Sequence, residues 1–271
     1  MALKNILIHL DNSPSCSTRL DLAINLARTH GANLKGLYVI AHEYYAPRHG
    51  GIMESGAKAM QTLFTEKTAS AGISAEWLYV DWPVVGVSAT EIITSYTYYT
   101  DLIIIGQYDK NAPNNTTPAD FPERLGLAAG RPLLVVPCSG TFETLGERVI
   151  VAWKAGRESV RAVNDALPIL KKAKKLSIVS VGSFGHHDRA AEKSGHQLCD
   201  HLAHHQITAE HEQILAIGLP IAELLLNNAR NQKMDLLVMG GYAQTRRGAY
   251  VLGPVAAYLL THMTIPILLS H

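Results

Sequence analysis

Two separated segments of this chain recur at one shared offset. Asp101-Leu102-Ile103-Ile104-Ile105-Gly106 returns as Asp235-Leu236-Leu237-Val238-Met239-Gly240, and Pro132-Leu133-Leu134-Val135-Val136 returns near Pro266-Ile267-Leu268-Leu269. The steps from Asp101 to Asp235 and from Pro132 to Pro266 are both 134 positions, close to half of the 271 residues. A shared step of that size predicts a duplicated domain and not a solenoid of short repeats. The expected division is 1–140 and 141–271, with a short linker around Cys138 to Thr144.

Each half reads as strands alternating with helices. In the first, the apolar run Asn5 to Leu10 ends in Asp11-Asn12-Ser13-Pro14, a helix-start signal with proline near the first helical position. The helix runs to His30 and stops at Gly31. A strand over Leu34–Ile40, a helix within Glu54–Ala71, a strand over Ser74–Val80, a helix from about Val84 to Tyr98 and a strand over Leu102–Ile105 follow. A polar loop, a short helix and the strand Leu133–Val136 close the half.

The second half repeats this order. The predicted strands are Arg148–Trp153, Leu176–Val181, Ile207–Leu215, Leu236–Met239 and Ile265–Leu269, with helices over Glu158–Ala173, Arg189–His205, Pro220–Asn231 and Pro254–His262. Continuous apolar strands separated by helices imply parallel sheets covered on both faces. The expected fold class is α/β: two tandem, doubly wound, five-stranded parallel-sheet domains of Rossmann-like type, held together as an intramolecular pseudo-dimer.

Composition narrows the function classes. With 47% hydrophobic and 17% charged residues, two ordinary cores can be buried. A net charge of +1 lacks the basic excess expected of a nucleic-acid binder. The cluster Lys171-Lys172-Ala173-Lys174-Lys175 suits a helix C-terminus, where cations complement the dipole. No apolar run approaches the ~18 residues that span a bilayer, and Met1-Ala2-Leu3-Lys4 leads directly into a strand, so a cytoplasmic protein without membrane contact is expected. Cys16, Cys138 and Cys199 are far apart and are read as reduced thiols.

Parallel sheets bind ligands beyond the carboxyl ends of their strands, where neighbouring connections diverge. In the second half that place holds Gly240-Gly241-Tyr242-Ala243-Gln244-Thr245-Arg246-Arg247-Gly248, and Leu252-Gly253-Pro254-Val255 opens a helix whose positive end faces the loop. On these residues, with the order and duplication of elements, the chain resembles the tandem universal stress proteins. Nucleotide-binding members of that family carry G-x2-G-x9-G-[S/T] after the fourth strand, and Gly240, Ala243, Gly253 and Pro254 occupy its four positions. The resemblance implies a stress-response protein that binds an adenine nucleotide, ATP or AMP, in its second half.

Departures from the pattern temper that expectation. Ala243 replaces a glycine, and Pro254 supplies neither hydroxyl nor N–H. Arg246 and Arg247 would compensate by charge, or lie solvated. In the first half Gly106 is kept, but Asp109 and Ala119 take the next positions, and an acidic side chain repels phosphate. That half keeps Asp11 at the end of its first strand, where nucleotide-binding relatives hold an acid; the second half has Lys154. Asp11 is read as either a ligand contact or a helix cap. The resemblance also implies adenine contacts from the backbone at Val39 and Val181, which otherwise read as strand valines.

Other chemistry is poorly supported. His201 and His205 have the i, i+4 spacing of two ligands on one helical face, with His186, His187, His196, His204 and His211 nearby. A third ligand at defined spacing is missing, and a polar helical face accounts for them, so no metal is assigned. Tyr44 and Tyr45 follow the second strand and read as rim or core packing. No catalytic residue is assigned, and turnover is at most a slow ATPase. The alternatives are a nucleotide-independent interaction protein with vestigial clefts and unidentified protein partners, or a weak hydrolase of nucleotides or nucleotide sugars.

Overall fold

The repeated segment opens on an aspartate in both halves, and the computed structural model gives the reason. The Asp101 Oδ2 atom accepts the N–H groups of Lys4 and Asn5 at 2.8 and 2.9 Å. Asp235 accepts those of Gly146, Glu147 and Arg148, each at 3.0 Å. Each carboxylate thus ties the start of a unit's first strand to the start of its fourth, satisfying donors that have no ladder partner there. The structure describes residues 2–41, 50–82, 84, 86–111, 118–182, 188–244 and 248–271, with 50–54 as backbone only. The two units are Ala2–Thr141 and Phe142–His271.

The first unit runs β1 (Asn5–Leu10), α1 (Cys16–His30), β2 (Asn33–Ile40), α2 (Gly50–Ala71), β3 (Ala75–Asp81), α3 (Ala89–Thr97), β4 (Leu102–Gly106), α4 (Phe121–Ala129) and β5 (Leu133–Val136). Its strands lie in the order β3-β2-β1-β4-β5, with parallel pairing throughout. The central strands are apolar because helices cover both faces: Ile6, Leu7, Ile8, Ile103, Ile104 and Ile105 are all fully buried. The edge strand β3 is exposed or partly exposed at every position. Gly31 ends α1 in the left-handed region, φ 59°, which costs glycine no Cβ clash.

The second unit runs β6 (Arg148–Ala152), α5 (Arg157–Leu170), β7 (Lys175–Gly182), α6 (Arg189–His204), β8 (Glu210–Leu215), α7 (Ile221–Asn231), β9 (Leu236–Gly240), β10 (Tyr242–Gln244), β11 (Tyr250–Leu252), α8 (Pro254–His262) and β12 (Ile267–Ser270). The order β12-β9-β6-β7-β8 repeats that of the first unit, again with parallel pairing. Both units are therefore doubly wound, five-stranded α/β sheets. Among the described residues no helix is long and apolar enough to cross a membrane.

Three boundaries differ from expectation for identifiable reasons. Helix α3 starts at Ala89 and not near Val84, because Ser88 and Glu91 form a capping box: Glu91 N–H donates to Ser88 Oγ at 3.3 Å and Ser88 N–H to Glu91 Oε2 at 2.8 Å. Strand β8 starts at Glu210 and not at Ile207. Gln206 turns back at φ 63° and Ile207 N–H still bonds the Leu202 carbonyl, so these residues finish α6. The loop expected after Gly240 contains a two-stranded antiparallel hairpin, β10 with β11.

Candidate functional site

In the first unit the chain leaves β1 towards β2 and leaves β4 towards β5, so connections diverge between β1 and β4. Asp11 and Gly106 flank this switch point, the place where an open sheet ordinarily takes a ligand. Here it is filled by a side chain the sequence reading passed over. Arg19, on α1, is 1% exposed. Its Nη2 lies 3.0 Å from Asp11 Oδ1, and its Nε donates to the His9 carbonyl at 3.2 Å. A Cβ on Gly106 would collide with Arg19 Nη1, so the guanidinium rests directly on the glycine.

The Asp11 carboxylate is committed within this cluster. It accepts the N–H and the hydroxyl of Ser13 as well as the guanidinium. Burial pushes its pKa up, but Arg19, His9 and the Ser13 bonds outweigh that and hold it well below the usual carboxylate range. Burial also pushes His9 down to about 4, so the ring is neutral at pH 7, packed 5.3 Å from the Phe121 ring. Cys16 is buried, and its thiol is raised to about 11, chiefly by desolvation, which makes it inert. Helix α2 covers the turn from outside, since a Cβ on Gly56 would meet the Asn12 amide at 2.5 Å. Val39, buried in β2, pairs with Val80.

The second unit builds the same place from different residues. Strand register aligns the halves: Ile6 lies opposite Leu102 and Val149 opposite Leu236. Carried forward, this puts Lys154 at the position of Asp11 and Ala162 at that of Arg19. Among the described residues no arginine fills this switch point. Instead the first turn of α5 comes close, for a Cβ on Gly240 would lie 2.6 Å from the Glu158 carbonyl carbon and 2.8 Å from Ser159 N. Gly240 is thus demanded by helix–strand packing. Helix α5 begins at Gly156 with no side-chain cap, with Lys154 and Arg157 exposed beside it.

The glycine loop is folded more tightly than expected. Tyr242, Ala243 and Gln244 pair with Leu252, Val251 and Tyr250. Alternation puts Ala243 and Val251 on one face, both exposed, and Tyr242 with Tyr250 on the other. Those tyrosines enclose His271 at ring-centroid distances of 5.1 and 4.5 Å, and Arg157 Nη1 donates to the Tyr250 hydroxyl at 2.6 Å. Gly241 N–H donates to Ser270 O, and Gly253 N–H donates to Gly241 O at 2.9 Å. Gly253 starts α8 without a side-chain cap, with Pro254 first in the helix and Val255 next. Among the described residues a Cβ on Gly253 would meet only the Gly241 carbonyl, at an ordinary 3.5 Å, so their packing does not require glycine there.

The structure therefore brings together Gly240, Gly241, Gly253, Pro254 and Val255 around the end of β9, and turns Ala243 outward. Val181, on β7, pairs with Ile214 on β8. Arg246 and Arg247 lie outside the described residues, as do Tyr44, Tyr45, His186 and His187. His201 and His205 stack edge-on at 4.9 Å, and His196 meets His211 at 5.0 Å. Among the described residues no group of three His, Cys, Asp or Glu side chains is placed to hold a metal ion.

Residues 147–271 match the universal stress protein family; the second half of this chain is a domain of that family. Over nearly its whole length the chain shares the fold of a universal stress protein from Archaeoglobus fulgidus DSM 4304, with a TM-score of 0.74 and 15% identity across 98% of this chain and 97% of that one. A functionally unknown protein from Pseudomonas aeruginosa PAO1 has a TM-score of 0.67 at 17% identity, covering 99% and 92%. The cytoplasmic domain of a prokaryotic cation chloride cotransporter has the same fold at a TM-score of 0.54 and 10% identity, covering 99% and 95%. The fold alone thus does not select an activity. No curated protein matches the sequence.

Proposed function

We propose that this is a stress-response protein whose second half binds an adenine nucleotide, ATP or AMP, at the ends of β6 and β9, while its first half is a filled domain without a nucleotide site. The observation that carries this reading is the inversion of charge at the first strand-to-helix turn. In the first half that turn holds the buried Asp11–Arg19 pair; in the second it holds Lys154 and Arg157 beside an uncapped helix start. Cations and free helix N-termini favour phosphate. Gly253 adds support, because a glycine that packing does not require leaves room for a close approach.

The experiment is calorimetric titration of the full chain with ATP and with AMP, alongside Lys154→Glu and Gly253→Asp. The expected result is saturable binding, weakened at least tenfold by the charge reversal, as follows from the ~1.5–3 kcal/mol typical of a hydrogen bond to a charged group. Binding unchanged in both variants would place any nucleotide elsewhere.

A second reading, a nucleotide-independent interaction protein, is favoured by one observation. The hairpin already uses Gly253 N–H, a donor a phosphate would need. Mass spectrometry that finds no nucleotide released on denaturing the purified protein, together with flat titrations, would favour it.

A further inference from the structure

Both units have a cleft between the helices that follow their first two strands, but in the first unit it carries ionic side chains, Asp21, Arg28, Glu66 and Lys67. In the first, α1 packs against α2. In the second, α5 lies over β9 and β12 and α6 over β7 and β8. A cavity of about 310 Å³ separates α5 from α6. By the strand register, Trp153 stands at one end of it where the first half has Leu10.

The lining of this cleft is specific in three respects. The Trp153 indole is fixed, because its Nε1–H donates to Ser194 Oγ at 3.0 Å. Val163 and Leu198, both buried, supply apolar walls, with the half-exposed Val160 at the rim. Among the described residues the polar lining groups, including Asn164, Gln197 and His201, are amides, a hydroxyl and an imidazole, with no Asp, Glu, Lys or Arg among them. Asn164 gives its amide N–H to the Val160 carbonyl at 2.9 Å, which leaves its oxygen to accept. The volume is at the small end of the roughly 300–1,000 Å³ of small-molecule sites, which combine apolar and aromatic walls with a few placed polar groups.

We propose that the α5–α6 cleft is a binding site for an uncharged, planar heteroaromatic molecule of one or two rings. The ring lies against the indole, where aromatic pairs gain offset or edge-on contact, and a ring nitrogen or exocyclic amine meets the rim amides. The absence of ionic lining groups separates this site from the nucleotide reading, whose features are cations and helix starts.

The test is a titration of the full chain with quinoxaline, a neutral two-ring heteroaromatic at pH 7.5, followed by the NMR signals of the indole N–H groups. Trp77, Trp82 and Trp153 are distinguished with Trp153→Phe. A saturable shift of the Trp153 signal, with Trp77 and Trp82 unmoved, is expected. Val160→Phe, at an exposed rim position, fills the cleft without touching the core and should weaken binding at least tenfold while leaving the other two signals in place. Lys154→Glu should leave quinoxaline binding unchanged, which keeps this result distinguishable from that of the nucleotide titration. Linear shifts of all three signals, an undisturbed Trp153, or affinity unaltered in Val160→Phe would overturn the proposal.

Discussion

The first strand-to-helix turn is built twice in this molecule, once as a closed ionic plug and once as an open cationic edge. In the first unit, Arg19 reaches from α1 to Asp11 and the His9 carbonyl and lies on Gly106. In the second, Ala162 cannot reach, Lys154 replaces the acid, and α5 meets Gly240 with its own backbone. The two solutions support the same strand order. The sheet therefore needs something to cover the fourth-strand glycine, but side chain and helix backbone serve equally.

The largest test of this contrast is Arg19→Met. It leaves Asp11 buried without its partner, and breaking a buried pair costs about 3–5 kcal/mol; denaturant unfolding at pH 7 should show a loss in that range. Adding Asp11→Asn should recover much of it. An equally large loss in the double variant would mean that Arg19 acts by volume and not by charge.

Acid should reach the same cluster next. Burial holds His9 at about 4 in the folded chain, against about 6.5 for an exposed imidazole, so below pH 6.5 the unfolded chain takes up a proton that the folded chain refuses. Stability from this group falls as pH drops from 6.5 to 4, by about 3 kcal/mol at 1.36 kcal/mol per unit. Asp11, depressed when folded, contributes stability that is present above its unfolded pKa and is lost as pH falls below about 4. In His9→Phe the decline should begin only near pH 4, as read from unfolding midpoints across pH.

Gly240→Ala should cost about 1–3 kcal/mol, as overpacking does, and no side-chain truncation should restore it, because the obstacle is α5 backbone. Gly106→Ala should be destabilising beside Arg19 but nearly silent in an Arg19→Met background. If both glycines respond alike to Arg19→Met, the plugs are not the difference between the halves.

The smallest effect concerns the third helix of each unit. Helix α3 has the Ser88–Glu91 capping box, whereas α7 starts at Pro220 with no side-chain cap. Ser88→Ala should cost about 1 kcal/mol, while Pro220→Ala should leave cap energetics nearly unchanged; thermal unfolding of the two variants separates them.

Much of the architecture was legible because it rests on composition along strands. Leu102–Gly106 and Leu236–Gly240 are apolar in every position, and parallel sheets write that plainly. Arg19 was missed because Asp11 was weighed only as cap or ligand contact. Yet Arg19 sits three residues after Cys16 and four before Ala23, both fully buried, and a cation in a buried stripe calls for an acid nearby. The hairpin was missed because strands of three residues fall below what alternation can establish, although Tyr242 and Tyr250 flank a turn at Gly248, φ 85°. The start of α3 was readable in Ser88-Ala89-Thr90-Glu91, a capping-box pattern. The cleft beside Trp153 depends on where α5 settles across the sheet, which no local pattern encodes.

The bond from Gly253 N–H to the Gly241 carbonyl joins the base of the hairpin to the start of α8, and this makes the hairpin a latch. An anion that takes this N–H needs the latch released first, so its apparent affinity is the intrinsic affinity multiplied by the fraction of molecules with the hairpin open. Substitutions such as Val251→Gly, at an exposed position of the hairpin, would then strengthen binding by loosening the ladder. Association rates would level off at high ligand concentration, at the speed with which the hairpin lets go.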